Sequence, residues 1–149
     1  MKLRTQSQEL AEYAVDCVRK DVLNRGSEVR KRYKSYISSF PALLVSEGLM
    51  LALAFNLSKA TPSKDKETTH ENVARFLVFK HVVNWLKRKE ILDLEIYDIK
   101  ELSEKGGDVI KRLSEDMDIY RLASNEALKV SDWLKRIAEG LIEEEEGGE

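Results

Sequence analysis

The sequence predicts an all-α, single-domain bundle of about five to seven helices. Only two prolines and seven glycines interrupt its 149 residues, and 42% of the residues are hydrophobic, which is typical of a helical globular chain of one domain. Apolar residues recur at intervals of three and four along most of the chain, as they do on the buried face of a helix. We expect the bundle to form around a central apolar helix at about 41–58 and to end in a closing helix at about 118–142.

The first helix is predicted at about 5–25. Thr5 and Gln8 have the spacing of a capping box, and Gly26 follows the last apolar residue of the pattern. Cys17, the single cysteine, falls on the inner stripe of this helix and is predicted to be a small core residue rather than a nucleophile. One cysteine excludes an intramolecular disulfide and fits a reducing cytoplasm.

The second helix places basic and aromatic residues side by side. Ser27 can cap it, and Pro41 either ends it or begins the next helix. Tyr33 and Tyr36 fall on the same side as the apolar residues, so we expect both rings to point inward. The basic residues then face outward, where they can contact phosphate groups without reading bases or simply cover a solvated helix face; they are Arg30, Lys31 and Lys34.

Residues 40–57 are the most apolar segment of the chain. Ser46, Glu47 and Asn56 interrupt the apolar run, so the segment is not predicted to span a membrane. A helix that is apolar nearly all round is surrounded by other helices. Gly48 inside it should allow a neighbouring helix to approach closely.

The next part of the chain alternates loops and helices. The loop at about 60–68 has the Pro, Ser, Thr and Lys composition of a flexible exposed segment. Thr68 and Glu71 have capping-box spacing and begin a fourth helix, which ends in basic residues that suit the helix dipole; these are Lys87, Arg88 and Lys89. Within residues 91–107 the run ILDLEIYDI alternates apolar and acidic residues at period two, but no second alternating run is available for pairing, so one or two helical turns are favoured over a strand. A further short helix follows.

The closing helix carries a heptad seam. Its apolar residues are spaced alternately three and four apart; they are Tyr120, Ala123, Ala127, Val130, Leu134, Ile137 and Leu141. The seam covers only about three heptads, so packing within the chain is favoured over an intermolecular coiled coil. The acidic tail at about 143–149 is predicted to be disordered.

Charge is distributed unevenly along the chain. Residues 1–90 carry 17 Lys and Arg against 10 Asp and Glu, a net charge of +7, whereas residues 91–149 carry 8 against 17, a net charge of −9. Such polarity suits a basic face toward one partner, and it equally permits head-to-tail contact between copies. The richness in Lys and Glu is also typical of thermophile proteins.

The residues that usually carry catalysis or bind metals are few. The chain has two histidines, one cysteine and no glycine-rich phosphate loop or nucleophile elbow. His70 and His81 are eleven residues apart, which places them about 16 Å apart along a helix, too far to share a metal ion. We therefore predict no catalytic residue, no cofactor and no metal site.

Two blocks of the sequence carry a recognisable pattern. The first is FPALLVSEGLMLALAF, whose pattern positions are Pro41, Gly48, Leu49, Ala52 and Phe55. The second is YRLASNEALKVSDWLKR, whose pattern positions are Tyr120, Arg121, Glu126, Ala127, Leu128, Trp133, Lys135 and Arg136. In these blocks the chain resembles the small subunit of the type III-B CRISPR Cmr effector complex.

The resemblance implies an all-α, non-catalytic subunit of an RNA-guided, RNA-targeting complex in antiviral defence. Such a subunit stacks with copies of itself, beside the large subunit and the backbone subunits, and its basic surface flanks the guide RNA and target RNA. We expect sequence-independent contacts to phosphates. The candidate RNA-contacting residues are Arg30, Lys31, Lys34, Lys87, Arg88, Lys135 and Arg136, and the candidate structural core residues are Pro41, Gly48, Phe55, Tyr120, Trp133 and Leu134.

An alternative function stays open, a helical protein-interaction module with no nucleic-acid role. The two functions differ in where the basic residues lie once the helices pack. An RNA-flanking subunit should gather them on one surface, whereas an interaction module should scatter them and pair them with carboxylates.

Overall fold

A computed structural model describes residues 3–143, and all the regular structure within that range is helical. The six α-helices are α1 (Gln6–Cys17), α2 (Ser27–Glu47), α3 (Leu49–Ala60), α4 (His70–Arg88), α5 (Gly107–Glu115) and α6 (Met117–Leu141). A π-helical turn (Val18–Val22) extends α1, and a 3₁₀ turn (Ile99–Glu101) and a second π-helical turn (Leu102–Gly106) precede α5. The all-α bundle is confirmed. In the predicted acidic tail, residues 144–149 lie outside the described range.

The most deeply buried helix is α4. It packs against α2, α3 and α6, and more than half of its 19 residues are buried. Apolar side chains from all six helices join around it in one continuous core. No helix in the described range is both long enough and apolar enough to cross a membrane.

The structure corrects the prediction of one central helix at about 41–58. Pro41 lies inside α2, which continues to Glu47, and the chain then turns at Gly48 before α3 begins. Gly48 has φ 86° and ψ 164°, a backbone conformation open almost only to glycine. A Cβ atom at this position would lie 3.1 Å from the hydroxyl oxygen of Tyr120. The apolar segment is therefore divided between two helices, and α4 takes the central place.

The helix starts follow the capping pattern closely. At the start of α1, the Gln8 backbone N–H donates to Thr5 Oγ1 at 3.1 Å, and the Thr5 N–H donates to Gln8 Oε1 at 2.8 Å. The capping box of α4 is formed by Thr69 and Asn72, one residue later than the spacing of Thr68 and Glu71 predicted. The segment predicted as one or two helical turns is a loop followed by the short turns before α5.

The prediction that Phe55 is a core residue is wrong. Pro41 and Leu134 are buried, and Gly48, Tyr120 and Trp133 are half-buried. Phe55, however, is 41% exposed. Because α3 is apolar on every side, its pattern does not select a buried face; Ala52, Leu53 and Asn56 point into the bundle and leave Phe55 at the surface.

Candidate nucleic-acid interface

A buried hydrogen-bond network sets the orientation of α2. Tyr33 Oη lies 2.8 Å from Nδ1 of His81, and His81 Nε2 lies 2.8 Å from Oδ2 of Asp21. Lys80 Nζ lies 3.1 Å from the same carboxylate oxygen. A neutral imidazole satisfies every partner, since its Nε2–H donates to the carboxylate and its Nδ1 accepts from the tyrosine hydroxyl. With Tyr33 turned inward, Lys31 lies on the exposed side of α2.

Burial decides the protonation states in this network. Burial lowers the pKa of His81 and outweighs the hydrogen bond to Asp21, which acts in the opposite direction. Burial alone would raise the pKa of Asp21, but the hydrogen bonds from His81 and Lys80 lower it to about 2. At neutral pH the network therefore holds an uncharged imidazole against an ionised carboxylate.

A groove runs between the first half of α2 and the end of α6, and we call it the α2–α6 groove. It has a volume of about 620 Å³, and its lining includes Arg30, Lys31 and Lys34 from α2 and Glu139, Ile142 and Glu143 from the α6 side. The Lys34 ammonium donates to the backbone carbonyl of Ile142 at 3.2 Å. Glu28 also lines the groove, so an anion entering it meets cations on the α2 wall and carboxylates nearby.

The other predicted cations fall into two sets. Arg136 pairs at 3.5 Å with Glu139, a residue that lines the groove, whereas neither Arg136 nor Lys135 is among the lining residues themselves. Lys87 and Arg88 line a different cavity beside α1. There, Lys87 pairs with Glu95 at 3.9 Å and Arg88 pairs with Glu12 at 3.8 Å. The structure thus gathers the three α2 cations in one groove and links Arg136 to it through Glu139, and it places the α4 pair at a different cavity.

A second group of basic and aromatic residues was missed by the sequence analysis, and we call it the cation–aromatic cluster. It joins three helices and consists of Arg32 and Tyr36 from α2, Phe55 and Lys59 from α3, and Arg75 from α4. The Arg75 guanidinium lies 3.6 Å from the centre of the Tyr36 ring and 5.1 Å from that of the Phe55 ring. Lys59 Nζ lies 5.9 Å from the Phe55 ring centre. The sequence shows that Arg32 and Tyr36 in α2, and Phe55 and Lys59 in α3, are each four residues apart. That Arg75 joins them depends on the packing of α4.

Two observations concern metal binding and the reactivity of the single thiol. Within the described range, no three His, Cys, Asp or Glu side chains converge in a way that could hold a metal ion. Cys17 is buried, and burial raises the pKa of its thiol to about 12. The thiol is therefore protonated at neutral pH, a state in which it is a poor nucleophile.

The family comparison covers nearly the whole bundle. Residues 6–141 match the model of a family described as CRISPR-associated protein (Cas_Cmr5). The matched range begins at the first residue of α1 and ends at the last residue of α6. It therefore includes both the α2 wall of the groove and the whole cation–aromatic cluster.

Proposed function

This chain belongs to the Cas_Cmr5 family of CRISPR-associated proteins, and from that premise we propose that it is the non-catalytic small subunit of a type III-B Cmr effector complex. In this role it acts in the cytoplasm, in antiviral defence, within an assembly that a guide RNA directs to target RNA. The family match over residues 6–141 carries the proposal.

The α2–α6 groove is the surface that we assign to RNA. Arg30, Lys31 and Lys34 fall on neighbouring positions of one helix side and line the same groove. Lysine and arginine contacts to phosphates carry no sequence information, so binding should not depend on RNA sequence. We extend the proposed surface to Lys135 and Arg136 through the ion pair between Arg136 and Glu139, whereas Lys87 and Arg88 belong to a separate patch.

Carboxylates near the groove limit its affinity. A phosphate must compete with Glu28, Glu139 and Glu143, so the isolated chain should bind RNA weakly. Three phosphate contacts to a single strand correspond to a slope of about −2 in log K against log salt, at roughly −0.7 for each contact. Neighbouring subunits that carry further cations would strengthen the contact.

Protein contacts are assigned to an exposed apolar end of the bundle. Val45 is 76% exposed, Leu51 55% and Met117 66%, and these residues flank the turn at Gly48 and the start of α6. The two regions are joined where the Met50 backbone N–H donates to the hydroxyl of Tyr120 at 3.2 Å. Where exposed apolar side chains form a contiguous patch, they commonly mark a protein interface. We assign this end to contacts with further copies of the chain and with the large and backbone subunits.

Fluorescence anisotropy of a labelled single-stranded RNA, titrated at several salt concentrations, tests the groove. A triple variant with Arg30, Lys31 and Lys34 changed to glutamate should bind far more weakly than the wild-type chain does at low salt. A matched control makes the same change of charge at three exposed positions outside the groove, Lys100, Lys111 and Arg121. The control should bind more weakly than wild type but far better than the groove variant, and the melting temperatures of both variants should show that they are folded.

Two results would contradict the groove assignment. If both triple variants lost affinity equally, net charge rather than the groove would account for binding. If the wild-type chain bound no RNA at low salt, the alternative function as a protein-interaction module would be favoured.

A further inference from the structure

The cation–aromatic cluster lies on a different side of α2 from the groove. Arg32 follows Arg30 by two residues, and Tyr36 follows Lys34 by two residues. Two residues correspond to a rotation of about 200° around the helix. The hydroxyl of Tyr36 accepts a hydrogen bond from the Arg32 guanidinium at 3.2 Å. The cluster is therefore a separate surface, which the groove assignment does not explain.

Two cations of the cluster have no carboxylate partner among residues 3–143. Within the described range, neither Lys59 nor Arg75 has a carboxylate oxygen at ion-pair distance, although Glu71 acts on Arg75 from farther away. Elsewhere on the surface, cations such as Arg88 and Lys89 do pair with carboxylates, at 3.8 Å and 3.7 Å. Arg75 and Lys59 thus present positive charge that the neighbouring side chains leave available to an anion.

The Arg75 guanidinium is partly desolvated and incompletely hydrogen-bonded. Its Nε atom is buried and has no hydrogen-bond partner in the described part of the chain, and the hydrogen bond to Oδ1 of Asn56 is long, at 3.4 Å. Stacking on Tyr36 fixes the plane of the guanidinium. A guanidinium held in this way gains more binding free energy from an anionic ligand than a fully hydrated guanidinium does. Part of the cost of removing water from it has already been met in folding.

Phe55 supplies the aromatic face. Its side chain is 41% exposed, and the Arg75 guanidinium and the Lys59 ammonium lie 5.1 Å and 5.9 Å from its ring centre. Exposed aromatic rings beside lysine and arginine are the elements with which proteins bind single-stranded nucleic acid, since every base has a face that can stack and every nucleotide has a phosphate.

We propose that the cation–aromatic cluster binds a single-stranded segment of RNA, with one base stacked on Phe55 and the adjacent phosphates contacting Lys59 and Arg75. The inference depends on the proposed function for the identity of the nucleic acid, but it uses a different surface. The site requires an unpaired base, since a base within a duplex cannot expose its face to the ring. It reads no base edge, so it is tolerant of sequence.

The test uses a single-stranded RNA in which 2-aminopurine replaces one adenine, because the fluorescence of this base changes when it stacks. Phe55→Leu removes the aromatic face and keeps an apolar side chain, and Phe55→Tyr restores the face. Stacking on an aromatic side chain contributes about 1–3 kcal/mol per base, so Phe55→Leu should weaken binding roughly 5- to 150-fold and abolish the fluorescence change. Phe55→Tyr should retain both. As a matched control, Tyr97→Leu removes an aromatic ring that is 67% exposed elsewhere and should change neither.

The variants separate this inference from the groove assignment. Loss of binding in the groove variant alone, with Phe55→Leu identical to wild type, would overturn the cluster site and leave the groove in place. Loss in Phe55→Leu alone would support the cluster and contradict the groove. If Phe55→Leu left RNA affinity unchanged but weakened association with other subunits, the cluster would be a protein contact and the inference would be overturned.

Discussion

The hydrogen bond between Tyr33 and His81 should be measurable as a loss of stability. Tyr33→Phe removes only the hydroxyl group and leaves His81 Nδ1, in a side chain that is 1% exposed, without a donor. An unsatisfied buried acceptor costs about 1–3 kcal/mol. In a chain of this size each kcal/mol lowers the melting temperature by roughly 2–4 °C. We therefore expect a decrease of roughly 2–12 °C.

Thermal unfolding followed by circular dichroism at pH 7 measures this decrease, and Tyr97→Phe provides the control. The Tyr97 hydroxyl also donates a hydrogen bond, to Glu95 at 2.7 Å, but the side chain is 67% exposed, so water can replace the lost partner. Its removal should change stability by less than about 0.5 kcal/mol. Equal decreases in the two variants would refute the reasoning that burial makes the hydrogen bond of Tyr33 costly to remove.

Three further predictions follow from the buried residues and the turn. Gly48→Ala should lower the free energy of unfolding by about 1–3 kcal/mol, because the backbone of an alanine is strained at φ 86°. Gly140→Ala, in a helix with open space around the position, should instead raise the free energy of unfolding by about 0.5–1 kcal/mol. Chemical denaturation measures both values, and equal effects would contradict backbone strain at residue 48. Glu126→Ala should lower the free energy of unfolding by about 1–3 kcal/mol, because its carboxylate accepts a hydrogen bond from the buried N–H of Trp85 at 3.0 Å. An unchanged midpoint of chemical denaturation would show that water replaces the lost carboxylate. Burial lowers the pKa of His81, so below about pH 6.5 the unfolded chain binds more protons than the folded chain does. The melting temperature should therefore be highest above that pH and fall as the pH decreases through it. A melting temperature that rose on acidification would contradict a neutral buried imidazole.

Local signals in the sequence were sufficient to predict most of the helices. The capping box at Thr5, the apolar stripe of α4 and the heptad seam of α6 depend only on neighbouring residues. The helices α4 and α6 formed close to their predicted bounds, whereas α1 with its π-helical turn ends at Val22, before the predicted residue 25. The break at Gly48 was not predicted, since glycine inside an apolar run is equally compatible with a close helix contact and with a turn. Packing against Tyr120 accompanies the turn, and this contact joins residues 72 apart in the sequence.

The candidate site was predictable only where it lies on one helix. Arg30, Lys31 and Lys34 share a helix side because of their spacing, and they line one groove. Arg75 stacks on Tyr36 from another helix, and no pattern in the sequence connects these two residues. Phe55 was predicted to be a core residue because residues 49–55 of α3 are all apolar. Their pattern does not show which face of the helix is exposed.

Reconstitution of the complex tests the central claim most directly. The chain is mixed in excess with the other Cmr subunits and a guide RNA, and native mass spectrometry determines the composition of the assembly. As the small subunit that stacks with copies of itself, the chain should be incorporated in more than one copy. An assembly that forms fully on the guide RNA and never contains the chain would contradict the account.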